Sequence, residues 1–416
     1  LVFSDESFRN QTDAIEKAAG KKFTEEEKEK VGEHAELVGR TFTMSETVTY
    51  QELDSIEYPQ LYTEGDVVEI FIRANSGGTR LGKSDLLFSL LKAGWEDADE
   101  KMEELLESIN QHGFEFDRDF ILKTSLVLLD RGARYEVSKF RSNDLKGQIE
   151  SDWANIETAV QSVVDFVREK TFIRCDKALP SYLVLIPMIY ARYHFEKAWN
   201  TAQDVDRYLV RASLAGAFSG NSDAMLDAIV GRMRKSQTFD VQDLFETMRE
   251  QGRSLEIGED RFWAMGYGSA TVHLLFNLWY GSFNYTPILE KGLPQVDHIF
   301  PQSLLKKVKA VNPATGRKDI RRYREDDRNQ LANCMLLRME ENGPKGKFDI
   351  APVEWFADKD AAYLDLHLIP KDPELWKLER YEDFIEARKA LIRDRFRSLL
   401  IAHRPAGSSG NVTEAG

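Results

Sequence analysis

The sequence predicts a mainly α-helical chain with a small α+β part towards its carboxy terminus. Three observations predict this class. Apolar residues recur at helical spacing in five segments between residues 99 and 282. Helical spacing also predicts a long amphipathic helix from Tyr381 through Ile401. Between these regions, the apolar run Cys334–Leu337 has the length of a strand, and Asp297 and His298 are expected at the irregular end of another strand, closed by Pro301.

Four regions are expected in chain order. Residues 1–98 contain a charge-rich helical run at 23–30, and the alternation over 41–53 predicts one or two strands. Residues 99–282 are expected to form a helical connector domain, 283–404 a second domain and 405–416 a disordered tail. The five helical segments of the connector are Met102 to Ile109, Trp153 to Thr171, Tyr182 to Trp199, Val205 to Ala217 and Ser222 to Met233.

Composition excludes several classes of protein. With 416 residues and 42% hydrophobic content, the chain can bury two or three substantial cores. Cys175 and Cys334 are too few for a disulfide framework, so reduced thiols and a cytoplasmic location are expected. The apolar run at 182–190 is short and contains Pro187, which argues against a membrane span. The net charge of −14 argues against a protein that coats DNA indiscriminately.

Four residues of the connector invite a cofactor interpretation. His194, His273, Tyr190 and Trp279 all lie among apolar neighbours in the sequence. None has partner ligands at metal-binding spacing, so packing in the core is the better explanation.

The segment from Asp297 to Ser303, followed by Asn333 and by Asn342 nine residues later, carries the clearest chemistry. His298 can act as a general base, because an unperturbed imidazole is substantially neutral at physiological pH. Asp297 and Asn342 offer an anionic and a neutral oxygen, which suit Mg²⁺ or Mn²⁺ better than zinc. Asn333 precedes an apolar run, where its amide would hold the loop between two strands. A lone Asp-His pair is more often a surface or capping element, but the joint pattern favours a one-metal nuclease site.

These residues resemble HNH endonucleases of the ββα-metal type, with Asn in the third position of the motif. The resemblance implies that Asp297 and Asn342 bind the metal, that His298 is the general base and that Asn333 holds the loop. It also implies a ββα-metal nuclease domain over residues 283–404. Ala332 departs from the family pattern, which usually has Gly there, and this affects the geometry of the loop rather than the chemistry.

A basic segment lies between the two halves of this motif. From residue 306 to residue 328 there are nine cations against four acids, which suits contacts with a nucleic-acid backbone; a solvated basic loop is the alternative. Arg388 falls where related nuclease domains often carry Arg, and contact with a phosphate or a salt bridge are both open. The residues predicted to contact the DNA backbone are Lys306, Lys307, Lys309, Arg321, Arg322, Arg324, Lys345, Lys347 and Arg388.

A second resemblance lies upstream. Residues 67–87, including Arg73 and the loop residues Asn75, Ser76, Gly77, Gly78 and Thr79, are similar to the end of the ParB-like, nucleotide-hydrolysing domain of GmrSD-type modification-dependent restriction proteins. The exposed amides of this loop could hold a phosphate, although an ordinary helix-turn-helix connection explains them equally well. The resemblance implies that residues 1–98 are the carboxy-terminal part of such a ParB-like domain. The family's Asp-Gly-Gln-Gln-Arg string is absent and the chain begins at Leu1, so we expect a fragment that binds nucleotide only together with the full upstream domain.

The combined expectation is a metal-dependent DNA endonuclease acting in restriction of phage or modified foreign DNA. Its expected partner is double-stranded DNA, with no membrane. A double-strand break needs either a homodimer or two successive nicks, and the sequence leaves both open, as it does partner proteins of a defence system. Two alternatives remain: a catalytically silent module that docks on DNA or a protein, and a nucleotide-controlled switch whose chemistry lies upstream.

Overall fold

The structure is a computed structural model, and it describes residues 8–42, 66, 70, 83–92, 94–111, 113–136, 139–140, 143–173, 175–281, 294–342 and 346–400. The chain forms two compact units, Leu1–Val67 and Val68–Gly416. The boundaries predicted at 98/99 and 282/283 both lie within the second unit and stay predictions. Residues 73–79, Lys345 and the tail predicted at 405–416 lie outside the described residues.

Two helices in the described part of the first unit pack against each other, α1 (Phe8–Ala19) and α2 (Glu25–Phe42). Thr24 begins α2 through a capping box. The Glu27 amide donates to Thr24 Oγ1 at 3.3 Å, and the Thr24 amide donates to Glu27 Oε2 at 2.9 Å. The strand predicted to begin at Thr41 is wrong at its start, because Thr41 and Phe42 are the last residues of α2; the rest of that prediction lies outside the described residues.

The second unit begins with nine α-helices in its described part, built around one apolar core. α7 (Ile186–His194) packs on α5 (Arg118–Leu128), α6 (Asn143–Lys170) and α10 (Ser222–Ser236), so it lies at the centre of this helical region. Local sequence begins several of these helices: Asp117 Oδ1, for example, accepts from the Phe120 amide at 2.9 Å ahead of α5. The helices are α3 (Lys83–Lys92), α4 (Ala98–Ile109), α5 (Arg118–Leu128), α6 (Asn143–Lys170), α7 (Ile186–His194), α8 (Glu196–Asn200), α9 (Val205–Leu214), α10 (Ser222–Ser236) and α11 (Val241–Glu250).

The prediction of a mainly helical chain is confirmed, although element bounds differ. The predicted helix over 182–199 is a 3₁₀ turn, Tyr182–Leu185, followed by α7 and α8. Tyr190 and Trp279 are buried, as expected of core residues, and His273 is half-buried. His194 is exposed instead, because it is the last residue of α7, and its Nε2 lies 2.8 Å from the Leu128 carbonyl. Cys175 and Cys334 are both free and buried.

The remainder of the second unit carries all the described strands. β1 (Gln295–His298) pairs antiparallel with β4 (Cys334–Leu337), and the short strands β2 (Lys309–Ala310) and β3 (Ile320–Arg321) form a second antiparallel pair between them in the chain. The α-helices described in this part of the chain are α12 (Glu259–Trp263), α13 (Val272–Trp279), α14 (Gln302–Leu305), α15 (Glu325–Asn329), α16 (Pro352–Trp355), α17 (Ala361–Leu366) and α18 (Tyr381–Arg395). The predicted terminal helix therefore ends six residues early.

None of the described helices is both long enough and apolar enough to cross a bilayer.

Candidate functional site

The pairing of β1 with β4 sets the position of the Asp-His pair. Asp297 lies opposite Met335 and His298 opposite Cys334, and all four residues of β4 are buried. β1 ends at His298, and Pro301 then leads into α14. His298 is 7% exposed, whereas the Asp297 side chain keeps 26% of its surface accessible. The pair therefore sits at the end of a strand that is anchored on the core.

Asn333 fastens the chain that follows β1. Its Oδ1 accepts from the Phe300 amide at 2.9 Å, and its Nδ2 donates to the carbonyls of Phe300 at 3.2 Å and Arg328 at 2.8 Å. The Ile299 amide also donates to the Asn333 carbonyl at 2.7 Å. Asn333 is fully buried, so these bonds satisfy its amide in a place that water does not reach. The amide contacts the backbone on both sides of the long connection between β1 and β4.

Three side chains surround the imidazole of His298. Asn329 Oδ1 lies 2.9 Å from Nε2, and Gln302 Nε2 donates to the same Asn329 oxygen at 3.0 Å. The Tyr267 ring stacks on the imidazole with the centroids 4.3 Å apart. Burial lowers the pKa of His298, and the hydrogen bond with Asn329 partly offsets this effect. The imidazole is therefore neutral at pH 7 and can accept a proton.

The motif pattern assigned no role to Tyr267, Gln302 or Asn329. Gln302 stands inside the Asp-His segment, where its proximity to His298 is a signal that could have been used. Asn329 and Tyr267 have no such signal, because they come from positions 31 residues after and before His298.

Asn342 lies next to β1. Its Nδ2 donates to Gln295 Oε1 across a short distance. Side chains two residues apart on a strand share a face, so Gln295 and Asp297 point to the same side of β1. Asn342 is therefore beside the face that carries Asp297, and the structure brings the two predicted metal ligands to one side of the strand.

Gly346 closes the loop that carries Asn342. A Cβ at Gly346 would lie 2.5 Å from the Glu341 carbonyl carbon and 3.0 Å from the Asn342 amide nitrogen, and closer still to the Glu341 oxygen. The Lys347 amide donates to the Glu341 carbonyl at 2.8 Å. Only a residue without a side chain allows this approach of two backbone segments.

Lys347 is fully buried, so the prediction that it contacts the DNA backbone is wrong. Its Nζ lies 3.2 Å from Asp297 Oδ2 and also donates to the His298 carbonyl. Burial lowers the pKa of Lys347, and the nearby Asp297 carboxylate opposes that shift. A Lys in a Gly-rich loop is ordinarily exposed, which is why contact with DNA was predicted. Lys347 is buried by contacts with residues far away in the sequence, which the motif does not reveal.

The donor set fits a hard divalent cation. Asp297 Oδ2 is buried and accepts no hydrogen bond of good geometry, although the Lys347 ammonium faces it. Among the described residues no three His, Cys, Asp or Glu side chains group closely enough to hold a metal ion. An ion here would thus have Asp297 and Asn342 as protein ligands and would keep its other positions for water or phosphate, as Mg²⁺ does.

The basic segment forms an exposed arm around β2 and β3. Seven of its cations are exposed and have no acidic side chain within ion-pairing distance in the described part of the chain: Lys306, Lys307, Lys309, Arg317, Lys318, Arg321 and Arg324. Arg322 is also exposed, but it pairs with Glu382 at 2.8 Å. Arg328 is buried and donates to the Tyr323 carbonyl at 2.8 Å. Most of the predicted backbone contacts therefore remain accessible to a polyanion.

The predicted contact of Arg388 with a phosphate is wrong. The guanidinium is fully buried and donates to four backbone carbonyls at 2.7–3.2 Å. These carbonyls belong to Ala332, Cys334, His367 and Leu368. Arg388 thus fastens α18 both to the start of β4 and to the chain that directly follows α17. No salt bridge involves it among the described residues.

Residues 254–395, about a third of the chain, match the family described as GmrSD restriction endonucleases, C-terminal domain. A search of curated proteins found no match. The matched segment begins before α12 and ends with α18, so it contains every site residue described above. The match supports a relationship of this segment to the GmrSD-type restriction endonucleases.

Proposed function

We propose that the chain is a metal-dependent DNA endonuclease that acts in the restriction of phage or modified foreign DNA. The observation that carries the proposal is the placement of Asp297 and His298 on β1, with Asn342 bonded to Gln295 of the same strand, inside a segment that matches a restriction endonuclease family. In this proposal residues 283–404 are the ββα-metal nuclease domain of the HNH type, and double-stranded DNA is the substrate.

Each site residue has a distinct task in phosphodiester hydrolysis. His298, neutral at pH 7, takes a proton from the attacking water. Asp297 and Asn342 would hold one Mg²⁺ or Mn²⁺, which when bound supplies positive charge against the charge that develops on the phosphate. Asn333 holds the backbone after His298 through its three hydrogen bonds. The oxygen ligands lie on one side of β1, and the imidazole is fixed at its end.

The exposed cations of the arm around β2 and β3 give DNA its place beside this centre. Lys306, Lys307 and Lys309 have no ion-pair partner among the described residues, so they are available to phosphates. The rest of the chain is acidic, since the net charge is −14, and repels DNA that approaches elsewhere. The arm sits in the chain between the two halves of the site, which suits contacts that set the register of the duplex.

One observation favours a second candidate, a catalytically silent module that docks on DNA. The ammonium of Lys347 already faces the Asp297 carboxylate at 3.2 Å, so a divalent ion must compete with it or shift it. A docking module would use the basic arm without any metal. The other predicted alternative, a nucleotide-controlled switch, stays a prediction, and the loop residues 73–79 that suggested nucleotide binding lie outside the described residues.

Conversion of supercoiled plasmid separates the two functions. The chain would be incubated with Mg²⁺, Mn²⁺ or EDTA, alongside His298→Ala, Asn342→Ala and the control His34→Ala, an exposed histidine in the first unit. We expect metal-dependent nicking that the first two variants lose by at least about 10²-fold and the control retains. Binding of the plasmid with no cleavage under any metal condition would support the docking module, and full activity of a folded His298→Ala would refute the proposed mechanism.

A further inference from the structure

We propose that Asn329 and Tyr267 are positioning residues that hold His298 in the tautomer protonated on Nε2, so that Nδ1 is left to receive the proton from water. The inference rests on the proposed function, and it names residues that the motif does not contain. Three observations carry it: a shared acceptor oxygen, a stacked ring and a backbone clamp that joins them.

The shared acceptor is Asn329 Oδ1. It lies 2.9 Å from His298 Nε2 and 3.0 Å from Gln302 Nε2, whereas the two nitrogens are 3.3 Å apart. A carbonyl oxygen only accepts, so both nitrogens must point a hydrogen at it. The Gln302 amide also orients Asn329, because rotating the Asn329 amide would bring two NH₂ groups together. A neutral imidazole carries one ring hydrogen, and a hydrogen on Nε2 leaves Nδ1 with a free lone pair.

The stacked ring is that of Tyr267. Its centroid is 4.3 Å from that of His298, with 34° between the planes, so it covers one face of the imidazole. Tyr267 is itself 44% exposed. Its outer side therefore faces solvent, while its inner side limits how far the imidazole can tilt. The ring alone makes this contact, so phenylalanine would preserve it and an aliphatic residue would not.

A backbone clamp fixes these two neighbours of His298 relative to each other. The Tyr267 amide donates to the Asn329 carbonyl at 2.7 Å. A Cβ at Gly266 would come within 3.0 Å of the carbonyl carbons of Asn329 and Gln330, so glycine is needed for this approach. The residue that bonds to Nε2 and the residue that covers the ring are thus joined through one peptide group.

Selective ¹⁵N labelling of histidine tests the tautomer directly. Protonated and unprotonated ring nitrogens have well separated ¹⁵N chemical shifts, and the His298 signals among the seven histidines are those missing from His298→Ala. We expect hydrogen on Nε2 in the unmodified chain and in Asn329→Asp, because Asp keeps the acceptor and lacks the NH₂ group. Asn329→Leu should show a mixture of tautomers. Hydrogen on Nδ1 in the unmodified chain, or an unchanged spectrum in Asn329→Leu, would overturn the proposal.

Cleavage kinetics supply the second measurement. Asn329→Leu should lower kcat on the order of 10²-fold with the DNA affinity unchanged, and Asn329→Asp should recover most of it. Tyr267→Leu should lower kcat about tenfold, whereas Tyr267→Phe should not. If the Asn329 amide had only a structural role, Asn329→Asp and Asn329→Leu would lower kcat equally. If Asn329→Leu fails to fold, the spectra of the unmodified chain and of Asn329→Asp still decide.

The spectrum is recorded without DNA, so the two proposals fail in different ways. Hydrogen on Nε2 in a chain that never cleaves DNA would keep the positioning role and overturn the nuclease. Metal-dependent cleavage by a chain with hydrogen on Nδ1 would keep the nuclease and overturn the positioning role.

Discussion

Replacing Gly346 with alanine would place a methyl group against the backbone that carries Asn342. The added Cβ would lie 2.5 Å from the Glu341 carbonyl carbon, and an ordinary contact begins at 3.4 Å. The Glu341 backbone must therefore move by at least about 0.9 Å to clear the carbonyl carbon, and further to clear the nearer carbonyl oxygen. This movement shifts Asn342 from Gln295 and Lys347 from Asp297, because both residues are next to the place where Gly346 approaches the Glu341 backbone.

The size of the effect follows from this overlap. Forcing an extra carbon into a close-packed place costs about 1–3 kcal/mol of the free energy of unfolding. A misplacement of about 1 Å at a catalytic site costs on the order of 10²-fold in rate. We therefore expect Gly346→Ala to be destabilised by about 2 kcal/mol and to nick plasmid about 10²-fold more slowly.

Gly231→Ala is the matched control. Gly231 lies inside α10, and an added Cβ there meets no atom within 4 Å. Alanine should raise the free energy of unfolding by about 0.5–1 kcal/mol, because it favours the helix, and should leave cleavage unchanged. Urea unfolding measures the first quantity and plasmid nicking the second. A Gly346→Ala chain that unfolds within about 0.5 kcal/mol of the original and cleaves normally would refute the reasoning.

Three further predictions concern the neighbouring residues. Arg388→Leu should lower the free energy of unfolding by about 3–5 kcal/mol, because four buried carbonyls lose their donor. The control Arg397→Leu, at an exposed position, should change it by less than about 0.5 kcal/mol. Urea unfolding measures both, and equal losses would contradict the buried role of Arg388. Burial lowers the pKa of His367 to about 3, below the ordinary value of about 6.5. The unfolded chain therefore takes up the proton first, and the free energy of unfolding falls as the pH drops from about 6.5 towards about 3. Between pH 7 and pH 5 His367 should account for about 2 kcal/mol of that fall, and a His367→Gln chain with the same pH dependence would disprove this. Lys309→Gln and Arg321→Gln should each reduce the slope of log DNA affinity against log salt by about 1 in fluorescence anisotropy, and an unchanged slope would exclude the arm as a phosphate contact.

The sequence alone determined the features that depend on neighbours in the chain. Helical spacing predicted a mainly α protein, and the described helices agree in kind, although 182–199 is broken into three pieces. The apolar run Cys334–Leu337 and the strand end expected at Asp297 and His298 are found as β4 and β1, which pair with each other. The spacing of Asp297, His298, Asn333 and Asn342 predicted one site. Such patterns are readable because periodicity and turn chemistry are local properties.

Tertiary structure alone decided which cations are exposed and what surrounds His298. Lys347 reaches the carbonyl of a residue 49 positions earlier, and Arg388 reaches carbonyls 54 and 56 positions earlier, so both are buried where the sequence predicted contact with DNA. Tyr267 precedes His298 in the sequence by 31 residues and Asn329 follows it by 31, yet both contact its imidazole. The physical reason is the same in each case. Whether a polar side chain faces solvent or satisfies a buried group depends on how distant segments pack, and residue type and spacing do not specify that packing.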